Sequence, residues 1–262
     1  MKFHRIWAVV LHYLYTQKRS VPRTMDILYW PILNILLWGF LSLYLVKAQQ
    51  GVPNIVGMLL GALVLWLIFN RAQQDVTIHF LEDIWNRNLL NLFVSPLSMN
   101  EYLAGFIILS LAKVAIVSTV MVLFSLLVYH FNLFSLGFAL IPFLINLLLF
   151  GWIVGLFIMT LIMRWGTDAQ ILAFSFTFLI QPFSAVFYPI TILPVGAQFI
   201  GWMLPSTYVF EGMRGVLLHR VLDWHSVWFA FGLNILYFFL ALIFFRAMLR
   251  KVLDNGLLPK LE

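Results

Sequence analysis

Few side chains in this sequence could do chemistry, and their spacing limits what that chemistry could be. His219, Asp223 and His225 combine imidazoles with a carboxylate, the donor types that hold divalent metals, but their spacing fits no recognised metal pattern. A solvated loop is the simpler reading. His79, Glu82 and Asp83 read in the same way, as the polar end of a helix, so no metal site is expected. There is no cysteine, which removes disulfides, thiolate ligands and thiol catalysis and leaves the redox compartment open. The chain has no G-x-x-x-x-G-K-[ST] phosphate loop, no G-x-S-x-G elbow and no H-E-x-x-H pair. No cofactor is expected in this chain, and energy for any driven process must come from another one.

The charges that remain stand in unusual places. Lys113 falls inside a long apolar run, where a charge near the bilayer centre costs about 2.5–3.5 kcal/mol. Snorkelling, pairing with another helix, or a place on a substrate path would each account for it. Glu211 and Arg214 are spaced i, i+3 and can pair on one helix face, either as a structural clamp or as a ligand contact. Lys113 and this pair fall toward opposite leaflets, which argues against an intramembrane catalytic pair.

The elements that must position these groups follow from composition. Of 262 residues, 63% are hydrophobic and only 10% charged, against roughly 25% charged in a soluble domain; mean hydropathy is +0.98. Most of the surface must therefore face lipid. A net charge of +6 reports orientation in such a chain, not affinity for nucleic acid.

Six runs reach the ~20 apolar residues that a crossing helix needs: Ile27 to Val46, Val52 to Asn70, Phe106 to Tyr129, Ile141 to Met163, Ala169 to Tyr188 and Val227 to Leu249. None alternates like a barrel strand. The expected fold is an all-α integral membrane domain, residues 1–262, with six transmembrane helices. One set of connections carries twelve Lys and Arg and the opposite set three, which places both termini in the cytoplasm.

Three segments flank these spans. Residues 1–26 carry Phe3, Ile6, Trp7, Val10, Leu11 and Leu14 at helical spacing and lack a cleavage site, which predicts a cytoplasmic interfacial helix that lies on the membrane or caps the bundle. Residues 190–214 are apolar but broken by Pro194 and Pro205, too short between prolines to cross. They read as a re-entrant outer hairpin of two short helices between spans five and six, protected by protein or a cavity. Residues 82–101 lie between spans two and three, with Ile84, Leu89, Leu92 and Phe93 at near-helical spacing before Ser95 and Pro96. A short helix of this kind can dock in a groove of a cytosolic partner or lie among lipid headgroups. Asn34, Asn70, Asn146, Gln170, Gln181 and Asn234 are expected to bridge helices, and Gly57-x-x-x-Gly61 and Gly151-x-x-x-Gly155 to allow close packing. Trp30, Trp38, Trp202, Trp224 and Trp228 suit headgroup level.

The run from Arg87 to Leu97, RNLLNLFVSPL, resembles the segment before the third span of ABC-2 type permeases, the membrane subunits of ATP-driven exporters. The outer segment resembles that family again. Pro182, Ser184, Phe187, Tyr188, Pro189, Leu193 and Pro194 are followed by Pro205, Tyr208, Glu211 and Arg214, similar to the family's P-x-S-x-x-F-(F/Y)-P-x-x-x-L-P and P-x-x-Y-x-x-E-x-x-R patterns. One departure is that Leu90 and Asn91 stand where acidic residues are common, so docking would rest on apolar fit around Leu89, Leu92, Phe93 and Pro96, with Arg87 beside them.

The resemblance implies that residues 82–99 form a coupling helix, with Arg164 to Asp168 adding a second contact on the same face. It implies two copies of this chain and two copies of a separate ABC ATPase, which binds the ATP and Mg. The complex would lie in a prokaryotic cytoplasmic (inner) membrane, exporting an amphiphile such as a lipid-linked polysaccharide, lipid or drug. Nucleic acid is not an expected partner. A non-transporting scaffold that anchors an ATPase is the alternative reading.

Overall fold

The computed structural model describes residues 2–19, 21–48 and 55–254; the side chains of residues 21–24, 26, 27, 90 and 93 fall outside that description. In chain order the helices are α1 (Phe3–Lys18), α2 (Val21–Ala48), α3 (Ile55–Trp85), α4 (Leu89–Val94), α5 (Met99–Tyr129), α6 (Leu140–Trp165), α7 (Ile171–Ile180), α8 (Val195–Trp202), α9 (Pro205–His219) and α10 (Trp224–Asp254), with no strand among the described residues. Among the described residues, five segments are long and apolar enough to cross a membrane: Leu28–Ala48, Ile55–Trp85, Met99–Tyr129, Leu133–Ala169 and Trp224–Asp254. The chain is a multi-pass, all-helical membrane protein.

The expected fifth span, Ala169 to Tyr188, departs from this pattern. Its helix covers only Ile171–Ile180, about 15 Å at 1.5 Å per residue and short of a crossing. Pro182 brings no backbone N–H and Ala185 takes a left-handed conformation at φ 52°, so the regular helix stops early. Helical hydrogen bonds nevertheless run on beyond Ile180, from the Gln181 N–H to the Thr177 carbonyl at 2.9 Å and from the Ser184 N–H to the Ile180 carbonyl at 3.1 Å.

Helix α3 is the axis of the bundle and packs against α2, α5, α6 and α9. Leu60, Phe69, Gln73 and Phe80 are among its fully covered residues. Its closest neighbour is α6, where a Cβ on Gly151 would stand 2.8 Å from the Phe69 carbonyl and the Ala72 Cβ, and one on Gly155 2.9 Å from the Gln73 carbonyl. The two glycines let the backbones meet as the spacing predicts. By contrast, much of the α2 surface is left open, with Leu37, Phe40 and Tyr44 all exposed.

Helix α1 seats on α5 through Ile6, Val9, Val10 and Tyr13, and Val9 lies directly over Gly105. This face only partly matches the expected stripe. Phe3, Trp7 and Leu14 point outward, so the helix has an inner apolar face for the bundle and an outer one left open. The next helix after α4 starts with a capping box: Glu101 N–H donates to Ser98 Oγ at 3.3 Å and Ser98 N–H to Glu101 Oε2 at 3.0 Å.

Candidate functional site

Two polar assemblies stand at opposite ends of the bundle. The first gathers where α3 ends, α5 begins and α1 lies across them. Asp83, buried at 2% exposure, accepts the hydroxyls of Tyr13 and Tyr102 on one oxygen and the Asn88 side-chain amide on the other at 3.2 Å. The Asn88 N–H also donates to the Asp83 carbonyl at 2.8 Å. Burial, then the adjoining Asp83 carboxylate, hold the Tyr13 phenol above its usual range, so it remains a donor.

Arg5 reaches from α1 to the Pro96 carbonyl and to Glu101 at 3.7 Å, and the Lys2 N–H donates to Glu101 Oε1 at 2.6 Å. The short helix α4 is thereby tied to α3 at its start and to α1 just past its end. Between α1 and α4 lies a cavity of about 370 Å³ lined by Arg5, His12, Tyr13, Asn91, Leu92 and Pro96 among others.

The expected contact residues divide on this geometry. Leu89 is covered at 1% exposure and anchors α4 to the core, Leu92 is half-buried, and Arg87 and Pro96 are exposed. Arg87 takes a left-handed conformation at φ 53°, which reverses the chain between α3 and α4. The Phe93 side chain lies outside the described residues. Val94, which the spacing did not single out, is 87% exposed and is the most open apolar side chain among those described in α4. Arg164 is half-buried and Asp168 exposed in the turn Gly166–Ala169. That turn meets the end of α3, where Trp85 Nε1 donates to Gln170 Oε1 at 3.3 Å. The two cytoplasmic segments expected from the sequence thus share one end of the molecule.

Lys113 is buried at 5% exposure. Its Nζ lies 3.0 Å from His79 Nε2 and 3.7 Å from Asp75 Oδ1, and Arg71 Nε approaches the same Asp75 oxygen at 3.2 Å. Lys113 of α5 is thus buried against α3 with a carboxylate beside it. His79 in turn faces Glu82 at 3.3 Å. A cavity of about 430 Å³ opens beside this cluster among α2, α3, α5 and α7, lined by Asn34, Asn70, Arg71, Gln74, Trp30 and Phe178 among others. Arg71 lines it and Lys113 does not.

The second assembly is the turn between α7 and α9. Arg214, 7% exposed, donates from Nη2 to the Ala185 carbonyl at 2.7 Å and from Nη1 to that of Val186 at 3.2 Å. It pairs with Glu211 at 2.9 Å, and Glu211 accepts the Ile190 N–H at 2.7 Å. Tyr188 donates to the Pro182 carbonyl at 2.6 Å and Tyr208 to that of Trp202 at 2.9 Å. Pro189 precedes the turn Ile190–Ile192, Pro194 immediately precedes α8 and Pro205 opens α9, where a missing N–H costs nothing. Tyr188, Tyr208, Glu211 and Arg214 of the outer pattern therefore hold the loop itself, Phe187 instead stacks on Trp38 of α2 with ring centroids 4.0 Å apart, and α8 ends just before α9 opens at Pro205.

Of the other expected bridges, Asn234 Nδ2 donates to Asn146 Oδ1 at 3.0 Å between α10 and α6, whereas Asn34 bonds within its own helix to the Trp30 carbonyl. Asp223 caps α10 by accepting the His225 N–H at 3.0 Å and the Ser226 hydroxyl at 2.5 Å. No group of three or more His, Asp or Glu among the described residues is placed to hold a metal. The residues that spacing missed are Asp75 and Tyr13, which meet Lys113 and Asp83 on other helices; Asp83 was read only as part of a polar helix end, with no sign of its bonds to Tyr13 and Tyr102. Ser98 and Glu101 carried a legible signal, the S-x-x-E pattern before an apolar run.

The family model for ABC-2 type transporters matches residues 10–218, a range that includes the second assembly and all of the first except Lys2 and Arg5. No match was found among curated proteins.

Proposed function

Because the chain belongs to the ABC-2 type transporter family, a family of membrane permeases that work with an ABC ATPase, we propose that it is the permease subunit of an exporter that couples a partner's ATP hydrolysis to outward movement of an amphiphile. The observation that carries this reading is the open edge of α4. Val94 and, just past the helix, Pro96 are exposed at the end of the bundle that also carries the turn Gly166–Ala169, while α4 is tied to the bundle through Leu89, Asn88 and Arg5. A partner pressing on that edge moves α3 and α1 with it, because buried and doubly bonded contacts transmit displacement as a rigid body. ATP and Mg are held by the ATPase, two copies of which serve two copies of this chain.

In this reading the end with α4 faces the cytoplasm of a prokaryotic cell, in accord with the Lys and Arg count. The run from Ile171 through Ser184 serves as a shortened fifth span and brings the crossings to six, supported by its helical hydrogen bonds beyond Ile180. Helices α8 and α9 form the re-entrant outer hairpin, and α1 lies at the inner interface with Phe3, Trp7 and Leu14 toward lipid. The path runs along the cavity at Arg71, Asn70 and Asn34, where amides and a cation meet aromatic faces, a lining suited to a polar head on an apolar tail. The open face of α2 offers the surface for the second copy.

The test is purification of the tagged chain from its own membranes in mild detergent, with Val94→Asp as the comparison. A P-loop ATPase in a two-to-two complex, lost from the variant while the variant stays monodisperse, is the expected result. Absence of an ATPase, or equal retention by Val94→Asp, would overturn the coupling assignment. Recovery of the complex without transport or stimulated ATPase activity would favour the scaffold.

A further inference from the structure

A groove of about 720 Å³ runs between α5, α6 and α10, with Val76 of α3 at its floor. Its walls are almost wholly apolar, from Ala104, Trp152 and Phe238 among others. The polar groups on those walls are turned away: Trp152 Nε1 donates to Ser110 Oγ at 3.1 Å, and Asn234 Nδ2 donates to Asn146. Only one end differs. There Arg246 and Asn100 line the groove, both are exposed, and neither has a hydrogen-bond or charged partner among the described residues.

Depth gives that end a meaning. Arg246 lies 22 residues along α10 from the exposed Trp224, about 33 Å at 1.5 Å per residue, close to the ~30 Å thickness of the hydrocarbon core. With Trp224 at one headgroup layer, Arg246 reaches the other. Arg250 follows one turn later and is also exposed. No carboxylate lines the groove, and the neighbouring Glu101 is engaged by Lys2 and Arg5. An apolar slot ending in an unpaired guanidinium and an amide at headgroup depth matches a lipid tail topped by a phosphate.

We propose that this groove is a binding site for one phospholipid with an anionic headgroup, taken from the leaflet on the Arg246 side, its acyl chain against Ala104, Trp152 and Phe238 and its phosphate on Arg246 and Asn100. The site lies apart from the α2 cavity and does not depend on the transport reading.

The purified chain in mild detergent, given phosphatidylglycerol or phosphatidylcholine with the same acyl chains, tests this by native mass spectrometry. Wild type is expected to keep one phosphatidylglycerol at low lipid and to keep phosphatidylcholine less well. Arg246→Gln, a change on an exposed position, is expected to weaken phosphatidylglycerol retention about fivefold, the loss of one basic contact at the membrane surface, and to weaken phosphatidylcholine, whose choline offsets the phosphate charge, by less. Ala104→Trp, which fills the groove, is expected to reduce both. Equal retention of the two lipids by wild type, or a phosphatidylglycerol adduct unchanged in Arg246→Gln, would overturn the proposal.

Discussion

The hydroxyl of Tyr13 donates to the carboxylate of Asp83 across 70 positions of sequence, and this one bond fastens the first helix to the end of the third. Tyr102 donates to the same oxygen, so a single buried acid gathers three helices. Tyr13→Phe removes one donor and leaves Asp83 with Tyr102 and Asn88, an expected cost of about 1–2 kcal/mol. Asp83→Ala strands two buried hydroxyls and is expected to cost more, about 1–3 kcal/mol for each. Hydrogen exchange checks the location of the effect: amides of α1 are expected to lose protection in Tyr13→Phe while those of α6 keep it.

Arg214 holds the outer turn through two carbonyls and Glu211 at once. Its removal by Arg214→Ala leaves the carbonyls of Ala185 and Val186 without this donor and is expected to cost about 3–5 kcal/mol, the range for breaking a buried charged pair. Arg214→Lys is not expected to rescue it, because an ammonium cannot reproduce the planar fork. Thermal unfolding in detergent reads both; a lysine variant as stable as wild type would show that charge alone suffices.

The contact of α3 with α6 depends on two hydrogen atoms where a methyl would not fit. Gly155→Ala would set a Cβ 2.9 Å from both the Gln73 carbonyl and the Val76 Cβ, and is expected to cost about 1–3 kcal/mol by forcing the helices apart. Gly196→Ala on α8 meets nothing within 4 Å and is expected to be neutral or to stabilise by up to about 1 kcal/mol through helix propensity. The pair of midpoints, measured side by side, separates packing from propensity.

Asp223 lies outside the membrane-spanning segments and has its carboxyl held below the usual range, chiefly by the Ser226 hydroxyl, with the backbone N–H groups of His225 and Ser226 adding to it. A carboxylate with a depressed folded-state pKa contributes stability that is present above its unfolded pKa and is lost as pH falls through the folded one. The capping contribution is therefore expected to persist at neutral pH and to fade below about pH 4. Asp223→Ala is expected to melt below wild type at pH 7, with the gap closing on acidification. A gap that stays constant to pH 3 would place the effect elsewhere.

Much of the molecule was legible before its fold. Apolar run lengths specify the long helices, because a backbone in lipid must satisfy its own hydrogen bonds and a helix does so within one segment. Pro194 and Pro205 mark the breaks that bound α8 and α9, since proline constrains the chain locally. The i, i+3 spacing of Glu211 and Arg214 was enough to pair them, and Gly151 and Gly155 enough to mark a close approach. Each of these signals is carried by residues near one another in sequence.

What only the tertiary structure decided depends on how each helix turns about its axis. Run length cannot say that Leu89 faces the core while Val94 faces outward, that Val9 and Tyr13 rather than Trp7 seat α1, or that Lys113 meets His79 and Asp75. It also overstated the fifth run, because Phe183 and Val186 are as apolar as any helix residue and yet lie in the turn that Arg214 holds. Rotation and register are set by side chains on other helices, often seventy or more positions away, and a pattern read along one segment carries no record of them.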